Sequence, residues 1–208
     1  MILSRNNETI ALALTGASGM PYAFRLLEKL IKANKKIYLM ISAAAYVVID
    51  METTLKIPGQ PEKCAEFLTK HFHAKKDQIK VYGEKQWTAP VASGSGVADA
   101  MVICPCTSGC VSAVATGASN NLIERAADVM LKEKRQLILV HRETPLSTIH
   151  LENLLKIAQA GATILPANPG FYHHPKSIDD LVDFLVARIL DHLNIDHDLM
   201  DRWGEQSN

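Results

Sequence analysis

The sequence has few aromatic residues and no long apolar run. Phe, Trp and Tyr together make up 6% of the 208 residues, although apolar residues reach 48%, a balance typical of β/α proteins rich in Ala, Val, Leu and Ile. No run of about 18 apolar residues is present, so no transmembrane helix is expected. Segment 1–9 is polar and lacks the apolar core of a signal peptide. We therefore expect a cytoplasmic protein.

The chain also lacks an excess of charge of either sign. Lys and Arg number 22, Asp and Glu number 22, and the formal net charge is zero. A broad basic surface for nucleic acid or for an acidic membrane is therefore not expected.

Cysteine is scarce, with four residues, and three of them fall within seven positions, where short-range disulfides would be strained. The spacing C-x-C-x3-C differs from the paired C-x2-C of common zinc sites. The paired histidines at 71 and 73 and at 173 and 174 have no nearby carboxylate or cysteine to complete a metal site. We expect reduced thiols and no metal. The cysteines are Cys64, Cys104, Cys106 and Cys110.

Strand-like and helix-like segments alternate along the chain, which predicts βαβ units and a parallel sheet. Pro21 suits a first helical turn, Ser147 can cap a helix that stops at Gly161, and Ser177 with Asp180 resembles a capping box. The predicted strands are 9–15, 36–41 (ending at Ser42), 79–82, 100–104 (stopping at Pro105), 136–141 and 162–165. The first predicted helix begins at 21, and two others lie within 51–78 and 107–117. The last three span 122–134, 147–160 and 177–193, and the final one has an apolar face from Ile178 to Leu193.

No repeat, low-complexity tract or linker divides the chain, so residues 1–208 are predicted to form one domain with 1–8 as a flexible start and 195–208 as a tail. The predicted fold class is α/β: a single Rossmann-like, doubly wound parallel sheet in three αβα layers. Ligands of such sheets bind beyond the carboxyl ends of the strands.

Small or polar residues follow several predicted strands, where the backbone N–H groups can approach an anion. A phosphate-bearing cofactor would suit this edge of the sheet. The glycines could equally make only a tight turn, since GASG is not the dinucleotide fingerprint. The segments are Gly16–Gly19, Ser42, Thr107–Cys110 and Arg142–Glu143.

Longer segments make the sequence resemble the flavin prenyltransferases, the UbiX-type enzymes, over nearly its whole length. The most diagnostic are RAADVMLKEKR and RETPLS; the least similar stretch is 50–85. The matching segments are TGASGMPYAFRLLEKL at 15–30, SGS at 93–95, DAMVICPCTSG at 99–109, NLIERAADVMLKEKRQLILVHRETPLS at 121–147 and PANPGFYHHP at 166–175.

The resemblance implies an enzyme that joins a dimethylallyl group from dimethylallyl phosphate to N5 and C6 of reduced FMN without a metal. Implied FMN-binding residues are Gly16, Ala17, Ser18, Ser42, the loop Thr107, Ser108, Gly109 and Cys110, and Arg142. Implied donor-binding residues are Trp87, Arg125, Lys132, Tyr172 and Arg188; Ser18, Arg125, Lys132 and Glu143 are the implied catalytic residues.

These residue types suit the ionisation of a prenyl phosphate. Lys and Arg would stabilise the departing phosphate, an aromatic face would stabilise the allylic cation, and a carboxylate such as Glu143 would move protons. Ordinary surface roles remain open, because Arg125, Lys132 and Arg188 lie at polar positions of amphipathic helices and Asp128 could pair with Lys132.

Two other functions stay open at this point. FMN-dependent cysteine decarboxylases share the fold, but they use a histidine just before the strand at 100 and a Met-Asn clamp, and both are missing here. A non-catalytic FMN carrier would not need a second phosphate site.

The resemblance further implies a homo-dodecamer, with Met20, Val111 and Val114 as candidates for packing between subunits. It also implies a UbiD-type decarboxylase as the recipient of the prenylated FMN, for which ubiquinone biosynthesis is one candidate pathway.

Overall fold

Six parallel strands form one sheet in the computed structural model, which describes residues 8–200. The strand order is β3-β2-β1-β4-β5-β6, the doubly wound order that changes direction between β1 and β4. The carboxyl ends of all six strands lie along one side, here called the carboxyl edge, and the opposite side is the amino edge. The strands are β1 (Thr9–Leu14), β2 (Lys36–Ile41), β3 (Ile79–Tyr82), β4 (Ala100–Cys106), β5 (Gln136–His141) and β6 (Thr163–Ile164).

Helices cover both faces of the sheet, giving three αβα layers and confirming the predicted fold class. One apolar core joins α1, α2, α3 and α7 to the sheet, and a second joins α4, α5 and α6 to its other face. Two short 3-10 turns, Pro90–Ala92 and Gly94–Gly96, precede β4. The helices are α1 (Met20–Lys32), α2 (Ala43–Glu52), α3 (Pro61–His71), α4 (Ser108–Ala115), α5 (Leu122–Lys132), α6 (Thr148–Gln159) and α7 (Ile178–Leu193).

Local signals fix several boundaries as predicted. Ser147 and Ser177 cap α6 and α7, each within a capping box. Gly161 takes a φ of 103°, a left-handed conformation suited to the stop after α6. Helix α5 ends two residues earlier than predicted, because Lys134 has a φ of 51° and therefore leaves the helical conformation.

Two predicted boundaries are wrong. Strand β4 continues through Pro105 to Cys106, because the Pro105 carbonyl accepts hydrogen bonds from Thr15 and a register shift after Ile103 absorbs the proline. Residues 108–110, expected in a loop, form the first turn of α4, because Thr107 caps that helix through the N–H of Cys110 at 3.1 Å.

Helix α2 was not predicted. Its sequence AAAYVVIDME has apolar residues on all sides, so no helical period stands out, and only Ala45 and Ile49 are buried. Ser42, interpreted as a strand end, is its N-cap and accepts from the N–H of Ala45 at 3.1 Å.

Burial also corrects two expectations about apolar residues. Met20, Val111 and Val114 are buried within their own subunit and cannot pack between subunits. Ile178, expected on the buried face of α7, is 76% exposed, because it begins the helix beyond the sheet, where it lines a shallow groove with Phe171.

The ends of the chain are only partly described. Residues 1–7 and 201–208 of the expected start and tail lie outside the described residues. Glu8 donates its backbone N–H to Asp99 at 3.1 Å. Asp198 pairs with Lys29 at 2.6 Å and Ile195 is buried, so 195–200 pack on the domain.

Candidate active site

The turn after β1 places Ser18 and the N-terminus of α1 at the carboxyl edge. Gly19 has a φ of 126°, and a side chain there would also collide with the ring of Tyr22. Gly16 is needed for a different reason: an added Cβ would lie 2.5 Å from that of Ala44. Gly16 therefore lets the turn pack tightly against the start of α2, and Gly19 lets it lead into α1.

A carboxylate from α2 occupies the N-terminus of α1. Oε2 of Glu52 accepts from the N–H groups of Gly19 at 2.9 Å and Met20 at 2.8 Å, and the nearby Ser18 hydroxyl helps to lower the pKa of this carboxylate. Partial burial acts to raise the pKa of Glu52, but these hydrogen bonds and the charge of Arg142 outweigh it, so the pKa is lowered. A cofactor phosphate therefore has the N-termini of α2 and α4 available, and not these two N–H groups.

The ends of β1 and β4 are tied together where the strand order reverses. The Thr107 N–H donates to Thr15 Oγ1 at 2.9 Å, and that hydroxyl donates to the Pro105 carbonyl at 2.8 Å. Next to them, the Ser42 N–H donates to the Leu14 carbonyl at 3.0 Å. The N-termini of α2 and α4 thus face the same crevice, and their dipoles favour an anion there.

Arg142 enters this crevice from the end of β5. Its backbone N–H donates to the Cys106 carbonyl at 3.2 Å. Its Nε is buried and has no hydrogen-bond partner among the described residues. A buried guanidinium N–H without a hydrogen-bond acceptor costs free energy. We therefore expect a ligand to supply an acceptor at this position. An FMN in the crevice would supply acceptor atoms and anionic charge, so the residues present fit this cofactor.

Glu143 follows Arg142 and is held by two donors. The Ser108 hydroxyl donates to Glu143 Oε2 at 3.0 Å, and the Thr144 N–H donates to Oε1 at 3.2 Å. These bonds, first the one from Ser108, and the charge of Arg142 lower the pKa of Glu143. Oγ of Ser108 also lies 3.0 Å from Nε2 of His141.

Three of the implied donor-binding residues also lie toward the carboxyl edge. Arg125, in the first turns of α5, donates from Nε to the Ala92 carbonyl at 3.1 Å and pairs with Asp128 at 2.9 Å. Trp87 and Tyr172 lie in loops that leave the carboxyl ends of β3 and β6, and they are 47% and 74% exposed.

Lys132 lies at the opposite side of its own subunit. It ends α5 at the amino edge, four residues before β5 begins at Gln136, whereas Glu143 follows the end of β5. A six-residue strand separates the two by about 20 Å. Lys132 pairs with Glu133 and not with Asp128, which binds Arg125.

Arg188 also lies toward the amino edge. The His192 carbonyl, one turn further along α7, accepts from Gln136 Nε2 at 2.6 Å, which ties this end of the helix to the start of β5. Arg188 pairs with Asp191 at 2.8 Å. One subunit therefore brings Ser18, Ser42, Thr107, Ser108, Arg142 and Glu143 together, and it does not bring Lys132 or Arg188 to them.

Sequence reasoning missed Glu52 and His141. Glu52 ends a helix that carries no readable period, in the stretch least similar to the family. His141 is the last residue of a predicted strand, and only its place directly before RETPLS hinted at the site.

The cysteines and histidines form no metal site in the part of the chain described. All four cysteines are buried thiols, and no group of three His, Cys, Asp or Glu side chains in residues 8–200 could hold an ion. Within the same residues, no helix is both long and apolar enough to cross a membrane.

Comparison with known proteins gives a consistent result. The Flavoprotein family model matches residues 3–190. The flavin prenyltransferase UbiX of Pseudomonas aeruginosa is 56% identical over 199 residues, which cover 96% of this chain and 95% of the relative.

Two solved structures share both fold and sequence. AnUbiX (PadA1), in complex with FMN and dimethylallyl pyrophosphate, is 38% identical with a TM-score of 0.84, covering 97% of this chain and 100% of that one. A dodecameric FMN-dependent UbiX-like decarboxylase from Escherichia coli O157:H7 is 34% identical with a TM-score of 0.83, covering 94% and 98%. With the crevice described above, these matches show that the chain belongs to the UbiX flavin prenyltransferases, within the Flavoprotein family.

Proposed function

We propose that this protein is a flavin prenyltransferase that transfers a dimethylallyl group from dimethylallyl phosphate to reduced FMN and releases phosphate. The observation that carries the proposal is the buried Arg142 Nε, which lacks a partner among the described residues and belongs to the residue directly after β5, at the same edge of the sheet as the N-termini of α2 and α4. Family membership at 56% identity supports the same reaction.

FMN is held, in this proposal, by the residues around the crevice. Arg142 donates to the cofactor from its unpaired Nε, and the N-termini of α2 and α4 favour its negative charge. Bound reduced FMN supplies the nucleophile for the prenyl group. The holding residues are Gly16, Ala17, Ser18, Ser42, Thr107, Ser108, Gly109, Cys110 and Arg142.

Two carboxylates handle protons at the crevice. The Ser18 hydroxyl lies near the Glu52 carboxylate and helps to lower its pKa, and the proposal passes a proton between these two groups. Glu143 has a lowered pKa, so it rests as the carboxylate and accepts a proton from the reacting centre.

The donor phosphate is held, in this proposal, by residues of more than one subunit. Lys132 and Arg188 lie toward the amino edge, and Lys132 is about 20 Å from Glu143 of the same subunit. Their cationic groups reach a carboxyl-edge crevice only when another subunit presents them, where Trp87, Arg125 and Tyr172 complete the donor pocket. As the C–O bond to the prenyl group breaks, its electron pair goes to the phosphate, and the added negative charge strengthens each charge-assisted hydrogen bond.

Exposed apolar residues support a homo-oligomer, for which we propose twelve subunits. Met51 on α2 is 79% exposed and Ile149 on α6 is 67% exposed, on helices that bury only one or two of their residues. Apolar surface of this kind is typical of an interface. The further exposed members are Val47, Leu146, Leu151, Leu155 and Phe171.

The same proposal places the protein in the cytoplasm, with a UbiD-type decarboxylase receiving the prenylated FMN. Ubiquinone biosynthesis is one candidate pathway. Mixing the released flavin with an apo decarboxylase of this type tests the partnership: decarboxylation should begin on addition of the product, and not on addition of FMN.

Turnover separates the enzyme from a non-catalytic FMN carrier. Purified protein with reduced FMN and dimethylallyl phosphate should release a heavier flavin and inorganic phosphate in equal amounts. A carrier would return FMN of unchanged mass.

A further inference from the structure

A buried histidine lies behind Glu143 and contacts it through one hydroxyl. His141, the last residue of β5, is 5% exposed, and its Nε2 lies 3.0 Å from Oγ of Ser108. The same Oγ lies 3.0 Å from Oε2 of Glu143. Ser108 therefore bridges an imidazole at the base of the crevice and a carboxylate at its surface.

The single hydroxyl proton sets the direction of both hydrogen bonds. An ionised carboxylate can only accept, so the Ser108 O–H must donate to Glu143. Its oxygen is then the acceptor for His141, which must carry a proton on Nε2. Neutral His141 thus has one tautomer that satisfies the chain, with Nε2 protonated.

This chain of groups differs from a serine hydrolase triad. In a triad the serine donates to the histidine, and a carboxylate binds the other ring nitrogen, so that the serine becomes a nucleophile. Here the carboxylate binds the hydroxyl itself, and the donors run from His141 through Ser108 to Glu143. Ser108 is consequently not activated for attack, and both donors serve the carboxylate.

The surroundings of His141 favour its neutral form. Burial lowers the pKa of His141. The carboxylate of Glu143 acts to raise this pKa, and the charges of His150 on α6 and of Arg142 in the following turn lower it further. Cys106, its neighbour on β4, stays a thiol because the contact with Cys110 and burial raise its pKa.

We infer that His141 is a positioning residue for Glu143: it fixes the Ser108 hydroxyl as a donor, and so holds Glu143 ionised and pointed in one direction. The inference rests on the proposed function only in giving Glu143 a proton to accept. The hydrogen-bonded chain itself exists without FMN and can be measured in the FMN-free protein.

The test follows the protonation of Glu143 by infrared spectroscopy. The band of the protonated carboxyl is assigned by its loss in Glu143→Gln, and its midpoint is measured against pH in FMN-free protein. Removing either donor should raise the midpoint, in Ser108→Ala and in His141→Phe alike. The midpoint of the double variant should be no higher than that of Ser108→Ala, because His141 acts only through the Ser108 hydroxyl. His141→Gln, whose amide can donate to Ser108, should restore most of the wild-type midpoint.

A second measurement keeps the inference testable if Phe at this buried position prevents folding. Solid-state NMR of protein labelled with 15N in its histidine rings, with His141 assigned by subtracting the His141→Gln spectrum, should show a proton on Nε2 and none on Nδ1. The opposite tautomer, or a midpoint that moves in Ser108→Ala but not in His141→Phe, would overturn the inference.

The outcomes separate the inference from the proposed function. Shifted midpoints in a protein that makes no prenylated flavin would leave His141 as a positioning residue and reject the prenyl transfer. Normal prenyl transfer with unshifted midpoints would support the proposed function and reject His141 as a positioning residue.

Discussion

Oε2 of Glu52 accepts the backbone N–H of Gly19 at 2.9 Å, which joins the last residue of α2 to the N-terminus of α1. The contact spans 33 positions of sequence. It satisfies an N–H that a helix start leaves unpaired, and it places a carboxylate beside Ser18. One residue thus stabilises the turn and contributes to its chemistry.

Stability should depend on Glu52 in one range of pH. The folded protein lowers its pKa from the ordinary value of 4.5, so its contribution is full above that value and is lost as pH falls through the folded pKa. At pH 7, Glu52→Gln should reduce the free energy of unfolding by roughly 1 kcal/mol or less, because the exposed part of the carboxylate is screened. Thermal melting at matched protein concentration measures this difference.

The melting difference between wild type and Glu52→Gln should shrink as the pH is lowered below 4.5. Glu66→Gln, an exposed change on α3, is the control and should melt like wild type throughout. A constant difference across this range would show that the charge of Glu52 is not what stabilises α1.

Glu143→Gln should keep FMN binding and slow prenyl transfer by roughly 100-fold or more, because the amide keeps the shape but cannot accept the proton. Fluorescence quenching measures FMN affinity, and single-turnover mass spectrometry measures transfer. Glu66→Gln is again the control. Full activity in Glu143→Gln would reassign this carboxylate to pairing with Arg142.

Two inactive variants that are altered in different residues of the site should regain prenyl transfer when their subunits assemble together. Lys132 and Glu143 lie at opposite edges of one subunit, so a site in the assembly takes them from two subunits. Mixed assemblies of Lys132→Ala and Glu143→Gln should recover about a quarter of the sites if the two chains mix at random. Prenyl transfer after co-expression with two affinity tags measures the recovery.

Complementation has a matched control on a single chain. The double variant carrying both changes, mixed at random with an equal amount of wild type, should leave about a quarter of the sites active, because both contributing subunits must be wild type; sites within one subunit would leave about half. Mixed single variants with no more activity than either alone would mean that one subunit supplies both residues.

Variants of the donor site should lose prenyl transfer and keep FMN binding. Lys132→Ala, Tyr172→Phe and Arg188→Ala each remove a group that binds the departing phosphate, so transfer should fall while FMN affinity and melting stay near wild type. Arg188→Lys should retain only part of the wild-type transfer rate, because a point charge does not replace the planar guanidinium of Arg. Lys63→Ala, an exposed change on α3, should leave transfer unchanged. Unaltered transfer in all three donor variants would remove this phosphate site while leaving the reaction intact.

The sheet was predictable from the sequence because its strands alternate cleanly with amphipathic helices. The strand at 79–82 was found even in the least similar stretch, and the capping box of Ser177 with Asp180 was found as well. These features depend on a few neighbouring residues, which a sequence displays directly.

What the sequence did not reveal depends on distant contacts. Glu52 belongs to the site because α2 folds back onto α1, and no spacing predicts a contact over 33 positions. Tertiary packing also buried Met20 and Val114, which had been candidates for packing between subunits. The separation of Lys132 from Glu143 appeared only once the strand directions were known.

The mass of the flavin released by the wild-type protein tests the central claim most directly. Protein is incubated anaerobically with reduced FMN and dimethylallyl phosphate, and the flavin is extracted for mass spectrometry, with Glu143→Gln alongside. The account predicts FMN heavier by one dimethylallyl group, formed with an equal amount of phosphate and much more slowly in the variant. FMN of unchanged mass from wild-type protein that has bound FMN would contradict prenyl transfer from this donor.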